Sequence, residues 1–264
     1  MKENAKVLRL VEGALLLALA TVLSLVKLVD LPYGGSITAC SALPVLLIGY
    51  RHGTVYGLFA GTVYALIQLL VGMNTLSYFT TPLSIVAVIL LDYLLAFTVL
   101  GLGGLFRRRM DQTPALMLAA LLTGILRYTC HVIAGCTVWA GLSIPDSAAL
   151  VYSLAYNATY MVPEVLVTVL GAWYVSRTLD LRGARPARRT VAGNAGGRWS
   201  LVAASVAVVA LVADVVLLAP HLQDAETGDF IITGLAAANW PVVGAVTGAG
   251  ALLCGLFAWL SRRK

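Results

Sequence analysis

Long apolar runs separated by short polar breaks dominate the chain. Reading for runs of at least about 18 residues, the length that crosses a hydrocarbon core as a helix, predicts helices near 9–30, 53–72, 81–105, 113–139, 149–176, 199–219 and 231–260. A shorter run at 37–50 has a length that suits either a buried or a re-entrant segment. The pattern predicts an all-α integral membrane protein.

The placement of positive charge decides how the short run is counted, because Lys and Arg concentrate on the cytoplasmic side of a membrane. If 37–50 spans, every Lys and Arg except Lys27 and Arg127 falls in a cytoplasmic loop, including the Arg107–Arg109 triplet. If it does not, that triplet moves outside. The reading is therefore eight spans in the plasma membrane with both termini cytoplasmic. The loop from His221 to Phe230 carries Asp224, Glu226 and Asp229 without Lys or Arg, as an outer loop should. The first run is long and lacks a convincing cleavage site, so it stays as a span. An Arg-, Gly- and Pro-containing stretch at 182–198 divides a six-helix unit at 1–181 from a two-helix tail at 199–264.

Composition agrees with that class. Of 264 residues, 60% are hydrophobic and 11% charged, with mean hydropathy +0.90, whereas soluble domains carry roughly 25% charged residues. The net charge of +6 marks helix ends and forms no phosphate-binding face, so nucleic acid is not an expected partner. Cys40, Cys130, Cys136 and Cys254 sit in apolar surroundings without paired or metal-ligand spacing and read as reduced small hydrophobes.

A charged side chain at mid-bilayer costs roughly 2.5 to 3.5 kcal/mol, so each one within a span calls for a partner or a function. Asp92, Arg127, His131 and Asp214 stand out. At about 1.5 Å rise per residue, Asp92 lies on the order of 16 Å below the outer end of its helix and His131 on the order of 12 Å below Trp139. Asn157 enters from the next helix at a similar depth. Arg127, one turn deeper than His131, has the depth to neutralise Asp92. Around this level stand Tyr93, Tyr128, Trp139, Tyr152, Tyr156 and Tyr160. Trp139 and Tyr152 also suit an interface belt, and Tyr160 suits packing. The convergence fits either a structural polar network or a pocket for a small ligand with positive charge and a flat heteroaromatic ring. Asp214 is expected to pair with Asn239 or Thr247. Ala14/Ala18 and Gly244/Gly248 have small-residue spacing for helix contacts within the chain. There is no phosphate loop, zinc motif or nucleophile elbow, so the chain is expected to be neither an ATPase nor any other enzyme. The more distant alternative is a membrane-embedded enzyme using Asp92 and His131 as acid and base.

The runs Leu126-Arg127-Tyr128-Thr129-Cys130-His131-Val132-Ile133-Ala134-Gly135, then Trp139, and Tyr152 through Asn157 to Pro163 resemble the thiamine-binding S component of energy-coupling-factor (ECF) vitamin transporters, the ThiT/YuaJ family. Leu91-Asp92-Tyr93, Leu43-Pro44, Arg51-His52-Gly53 and Gly34-Gly35-Ser36 match as well, and the resemblance covers about residues 5–180. It implies a six-helix S-component bundle, to which the two-helix extension adds a part without a family role. It also implies capture of thiamine from outside, no cofactor in this chain, a transmembrane coupling subunit and two separate ATPase subunits as partners. Carried over by position, the ligand contacts would be Asp92, Tyr93, Arg127, His131, Gly135, Trp139, Tyr152 and Asn157, and Ala14 and Ala18 would dock the coupling subunit. Asp92 stands where a longer Glu can occur, and Gly35 and Ala39 where some members have an aromatic residue and a carboxylate. These departures keep open an S component for a different vitamin.

Overall fold

The computed structural model describes residues 2–140, 142, 148–189, 195–224 and 229–262. An apolar chain in lipid must satisfy its backbone polar groups internally, and a helix does so within one segment. The described residues form α1 (Lys2–Leu25), α2 (Ala42–His52), α3 (Thr54–Val71), α4 (Pro82–Gly104), α5 (Gln112–Thr137), α6 (Ala149–Thr178), α7 (Ala195–Leu218) and α8 (Trp240–Arg262). All but α2 are long and apolar enough to cross a membrane.

The predicted run 37–50 is divided between two kinds of structure. β1 (Lys27–Asp30) pairs antiparallel with β2 (Ser36–Thr38), and helix begins only at Ala42. The first predicted helix likewise stops at Leu25, five residues short of its expected end at 30. The turn of this hairpin uses the left-handed backbone of Tyr33 (φ 61°) and Gly34 (φ 99°), and Cys40 (φ 68°) breaks the chain before α2. At 11 residues, α2 is about 16 Å long, too short to cross a hydrocarbon layer alone. It carries the chain from the cavity to the far end of the bundle. Thr38 and Ser41 before it line a cavity, while Arg51 near its far end binds Glu12 of α1 and the carbonyls of Leu181 and Ala184.

That far end is tied together by basic residues. Arg107 donates to the carbonyl of Arg51 (3.0 Å), and Arg182 donates to the hydroxyl of Tyr50 (3.2 Å). Gln112 receives the Leu181 N–H (2.8 Å). The linker is accordingly folded back rather than loose: β3 (Leu179–Asp180) pairs with β4 (Ala187–Arg188), and α7 takes in the last linker residues from Ala195. Residues 190–194 of the linker, Glu226, Arg263 and Lys264 lie outside the described residues.

Glycine permits close helix contact. A Cβ on Gly101 would lie 2.2 Å from the Gly57 carbonyl oxygen, and one on Gly49 would lie 2.2 Å from the Gly101 oxygen, so α2, α3 and α4 meet backbone to backbone. Dispersion at such distances is what joins helices in lipid. The tail packs α7 against α8, with Trp199 stacked on Phe257 (5.5 Å, 9°). Thr247 donates to Asp214 Oδ2 at 2.7 Å, so of the two expected partners Thr247 is the one in place. The intramolecular packing expected at the small-residue pairs is not found. Gly244 and Gly248 have nothing within 4 Å of an added Cβ among the described residues, because the packed face of α8 runs through Val243 and Gly250 instead, and on α1 Ala14 and Ala18 are exposed.

Candidate functional site

A cavity of about 340 Å³ opens at the end of the bundle away from Arg51, between the β1–β2 hairpin and α3–α6. That size falls within the range of small-ligand sites. Asp92 stands on its wall within a π-helical stretch of α4, Ile89–Leu95. Such wide turns recur at functional positions, since they interrupt the regular rotation of side chains about the axis.

Both oxygens of Asp92 are engaged. His131 Nδ1 lies 2.8 Å from Oδ1, and the Trp139 indole N–H donates to Oδ2 at 2.9 Å. With the carboxylate as acceptor, Nδ1 carries the proton, which makes Nε2 the second functional edge of the ring. Nε2 is buried and without a hydrogen-bond partner among the described residues, in a ring that lines the cavity. Asn157, 3% exposed, also lines the cavity. Its amide nitrogen donates to the carbonyls of Ser153 (2.9 Å) and His131 (3.3 Å), and its Oδ1 accepts from the Tyr160 hydroxyl at 2.6 Å. The three groups placed by depth alone therefore share one chamber. The rise along a helix is fixed, so depth was readable from sequence.

Tyr93 and Gly135 are on the same lining. The Tyr93 hydroxyl donates to the Gly72 carbonyl (3.1 Å). A Cβ on Gly135 would fall 2.1 Å from Ser153 Oγ, so glycine there lets α6 approach α5 and bring Asn157 inward. Trp139 is held edge-on by Phe79 (4.7 Å) and Tyr33 (6.0 Å), which fixes the indole over the cavity as well as above Asp92.

Two sequence expectations are corrected. Arg127 does not neutralise Asp92. Its guanidinium lies 4.0 Å from Glu164 Oε1 and 4.5 Å from the centroid of Phe97, because its side chain leaves α5 one turn deeper, where α6 and α4 present those groups. Arg127 still lines the cavity, and its Nε has no hydrogen-bond partner among the described residues. Tyr152 is not on the lining. Its ring faces Phe230 (6.3 Å), and the tyrosines one and two turns further on, Tyr156 and Tyr160, line the chamber instead.

Glu164 escaped sequence reading although the rule that found Asp92 applies to it equally: a carboxylate inside an apolar span. It is 2% exposed and accepts from the backbone N–H (2.6 Å) and hydroxyl (2.7 Å) of Thr38 in β2. It thereby ties the hairpin to α6 beneath the cavity. Gly35, one of the departures, also has a local reason. Its N–H donates to the Tyr156 hydroxyl (3.2 Å), and a Cβ would lie 2.8 Å from that oxygen and 2.9 Å from the Tyr160 ring. Tyr33, two residues earlier, supplies an aromatic ring to this rim. Burial, then the nearby charge of Asp229 and the neighbouring Tyr78, pushes the Tyr33 phenol above its ordinary range, so it stays a neutral hydroxyl.

A lipid-compatible helical bundle with a small chamber lined by a carboxylate, an imidazole and aromatic faces defines, as a class, a membrane-embedded protein that receives a small polar or cationic solute. The chain belongs to the thiamine transporter protein family (Thia_YuaJ), whose sequence model matches residues 10–180. Thiamine transporter ThiT of Bacillus subtilis (strain 168) is 30% identical over 182 residues, 64% of this chain and 91% of that protein. A solved structure of ThiT from Listeria monocytogenes shares the fold, with TM-score 0.54 and 23% identity over 66% of this chain and 95% of its own. The family is one of transporters and not of enzymes, which sets aside the acid–base reading of Asp92 and His131. The family match ends before α7 begins.

Proposed function

We propose that the chain is the substrate-capture (S) subunit of an ECF-type importer and binds thiamine in the cavity beside Asp92. The observation that carries the reading is the Asp92 carboxylate, fixed by His131 and Trp139 yet with each oxygen engaged once among the described residues. A carboxylate offers about four lone-pair sites, so acceptor capacity remains for the amino group of an aminopyrimidine. His131 Nε2 is a second unmet group on the same wall. Trp139 and the tyrosines offer faces to a thiazolium cation, and Tyr93, Gly135 and Arg127 complete the lining. The Asn157 amide is occupied by Ser153, His131 and Tyr160, so its main task is to hold the wall, with ligand contact as a shared use.

The cavity opens at the end of the bundle opposite the basic cluster. In the plasma membrane that cluster and both termini face the cytoplasm by the distribution of Lys and Arg, and the mouth faces outward. Energy for release inward comes from two ATPase subunits through a transmembrane coupling subunit, docked on α1 at Ala14 and Ala18. Both alanines are on the exposed side of α1, which also carries Val7, Val11 and Leu15, all more than half exposed.

Calorimetric titration of detergent-purified protein with thiamine, its phosphates and riboflavin tests the reading. Thiamine should bind one per chain and riboflavin should give no saturable heat. Tighter binding of riboflavin, or no heat with thiamine, overturns the assignment of the ligand.

A further inference from the structure

We propose that Phe230, in the tail, clamps the loop that closes the cavity. Phe230 sits in the connection between α7 and α8, where apolar side chains ordinarily meet solvent or headgroups, yet it is 5% exposed. Phe230 is held by an antiparallel bridge to Gln223, with Asp224 N–H bonded to the Asp229 carbonyl (2.9 Å) and Ile231 N–H to that of Leu222 (3.0 Å). Its ring lies edge-on to Tyr156 (5.4 Å, 74°) and to Tyr152 (6.3 Å, 90°).

Tyr156 is the hinge of the argument. Its ring meets Phe230 edge-on, its hydroxyl accepts from the Gly35 N–H, and Tyr160 packs beside it (5.7 Å). Gly35 in turn bonds Leu31 across the hairpin turn (2.7 Å). Beside it Val212 and Val215 of α7, with Ala219 just past its end, pack against one apolar cluster that joins Tyr160 and Met161 of α6 to Val29, Leu31 and Ile37 of the hairpin. The tail thus reaches the loop over the cavity through Phe230 and Tyr156, with Phe230 beyond the stretch that matches the family. Phe230 is not on the cavity lining, so it is a positioning residue and works by keeping Tyr156 and Gly35 in register.

The consequence for ligand retention rests on the thiamine reading, but the clamp does not. Full-length wild type, Phe230→Ala, Phe230→Tyr and Trp199→Ala are compared by hydrogen exchange over residues 31–37 without ligand, and by the dissociation rate of labelled thiamine in a chase. Trp199→Ala breaks an aromatic contact at the opposite end of the tail and controls for general loosening. Loss of edge-on contacts to two rings should speed both exchange and dissociation about tenfold in Phe230→Ala. Association should stay within about twofold, Phe230→Tyr should restore both rates, and Trp199→Ala should leave 31–37 as in wild type. Unchanged exchange in Phe230→Ala, or equal acceleration in Trp199→Ala, overturns the clamp. Faster exchange in a protein whose wild type binds no thiamine upholds the clamp and overturns only the ligand.

Discussion

The indole N–H of Trp139 donates to Oδ2 of Asp92 at 2.9 Å, joining the residue just past α5 to the π-helical turn of α4. The bond aims the carboxylate and fixes the ring plane together. Trp139→Phe keeps an aromatic face and deletes the donor, so thiamine binding should weaken by about 1 kcal/mol. Asp92→Asn removes the charge as well and should cost about 1.5 to 3 kcal/mol. Calorimetry reads both, and equal affinity in wild type and Asp92→Asn would remove the carboxylate from the site.

Glu164 should matter for folding. Its loss strands the buried Thr38 N–H and leaves Arg127 without its counter-charge. Breaking a buried pair by removing one partner costs about 3 to 5 kcal/mol. Glu164→Ala should therefore melt well below wild type in detergent, with Glu164→Gln between the two. Coincident melting curves would show that the pair carries no stability.

At Gly35 the added methyl of alanine would meet the Tyr156 hydroxyl at 2.8 Å and the Tyr160 ring at 2.9 Å. The loop or both rings must move, at about 1 to 3 kcal/mol by the usual cost of overpacking. The effect should fall on thiamine affinity, measured by titration, more than on melting temperature. An unaltered affinity would mean that the rim tolerates displacement.

Gly101→Ala tests the other end of the molecule. The methyl would press 2.2 Å from backbone atoms of Gly57, which cannot rotate away. Stability should fall by at least about 1 kcal/mol while affinity measured at low temperature holds. A variant that melts like wild type would show that α3 and α4 slide apart freely.

Ala14→Leu places a bulkier group on an exposed face of α1. Thiamine binding by the isolated chain should match wild type, while uptake by cells carrying coupling and ATPase subunits should fall steeply. Undiminished uptake would move the docking surface off Ala14.

Depth along the chain was legible in the sequence because helical rise is nearly constant, which is why Asp92, His131 and Asn157 could be placed at one level. Direction around the axis was not. A π-helical turn in α4 and a left-handed residue at Cys40 depend on tertiary packing, and they shift which face a side chain occupies. The depth of Arg127 therefore matches Asp92 while its side chain meets Glu164. The extended hairpin before α2 was hidden inside an apolar run, since Ile37 and Val29 read alike as helix or strand when both are buried. The contact of Gly101 and Gly103 near the end of α4 with α2 and α3 was not legible, since it involves residues about fifty positions away.

Residues 2 and 262 sit at the same end of the bundle, as do the stacked rings of Trp199 and Phe257, with the chamber mouth at the other. An affinity handle or fluorophore fused to either extremity would hang clear of the entrance. Protein captured on a sensor chip by such a handle would turn its opening toward the flowing buffer, ready for kinetic measurement without re-engineering.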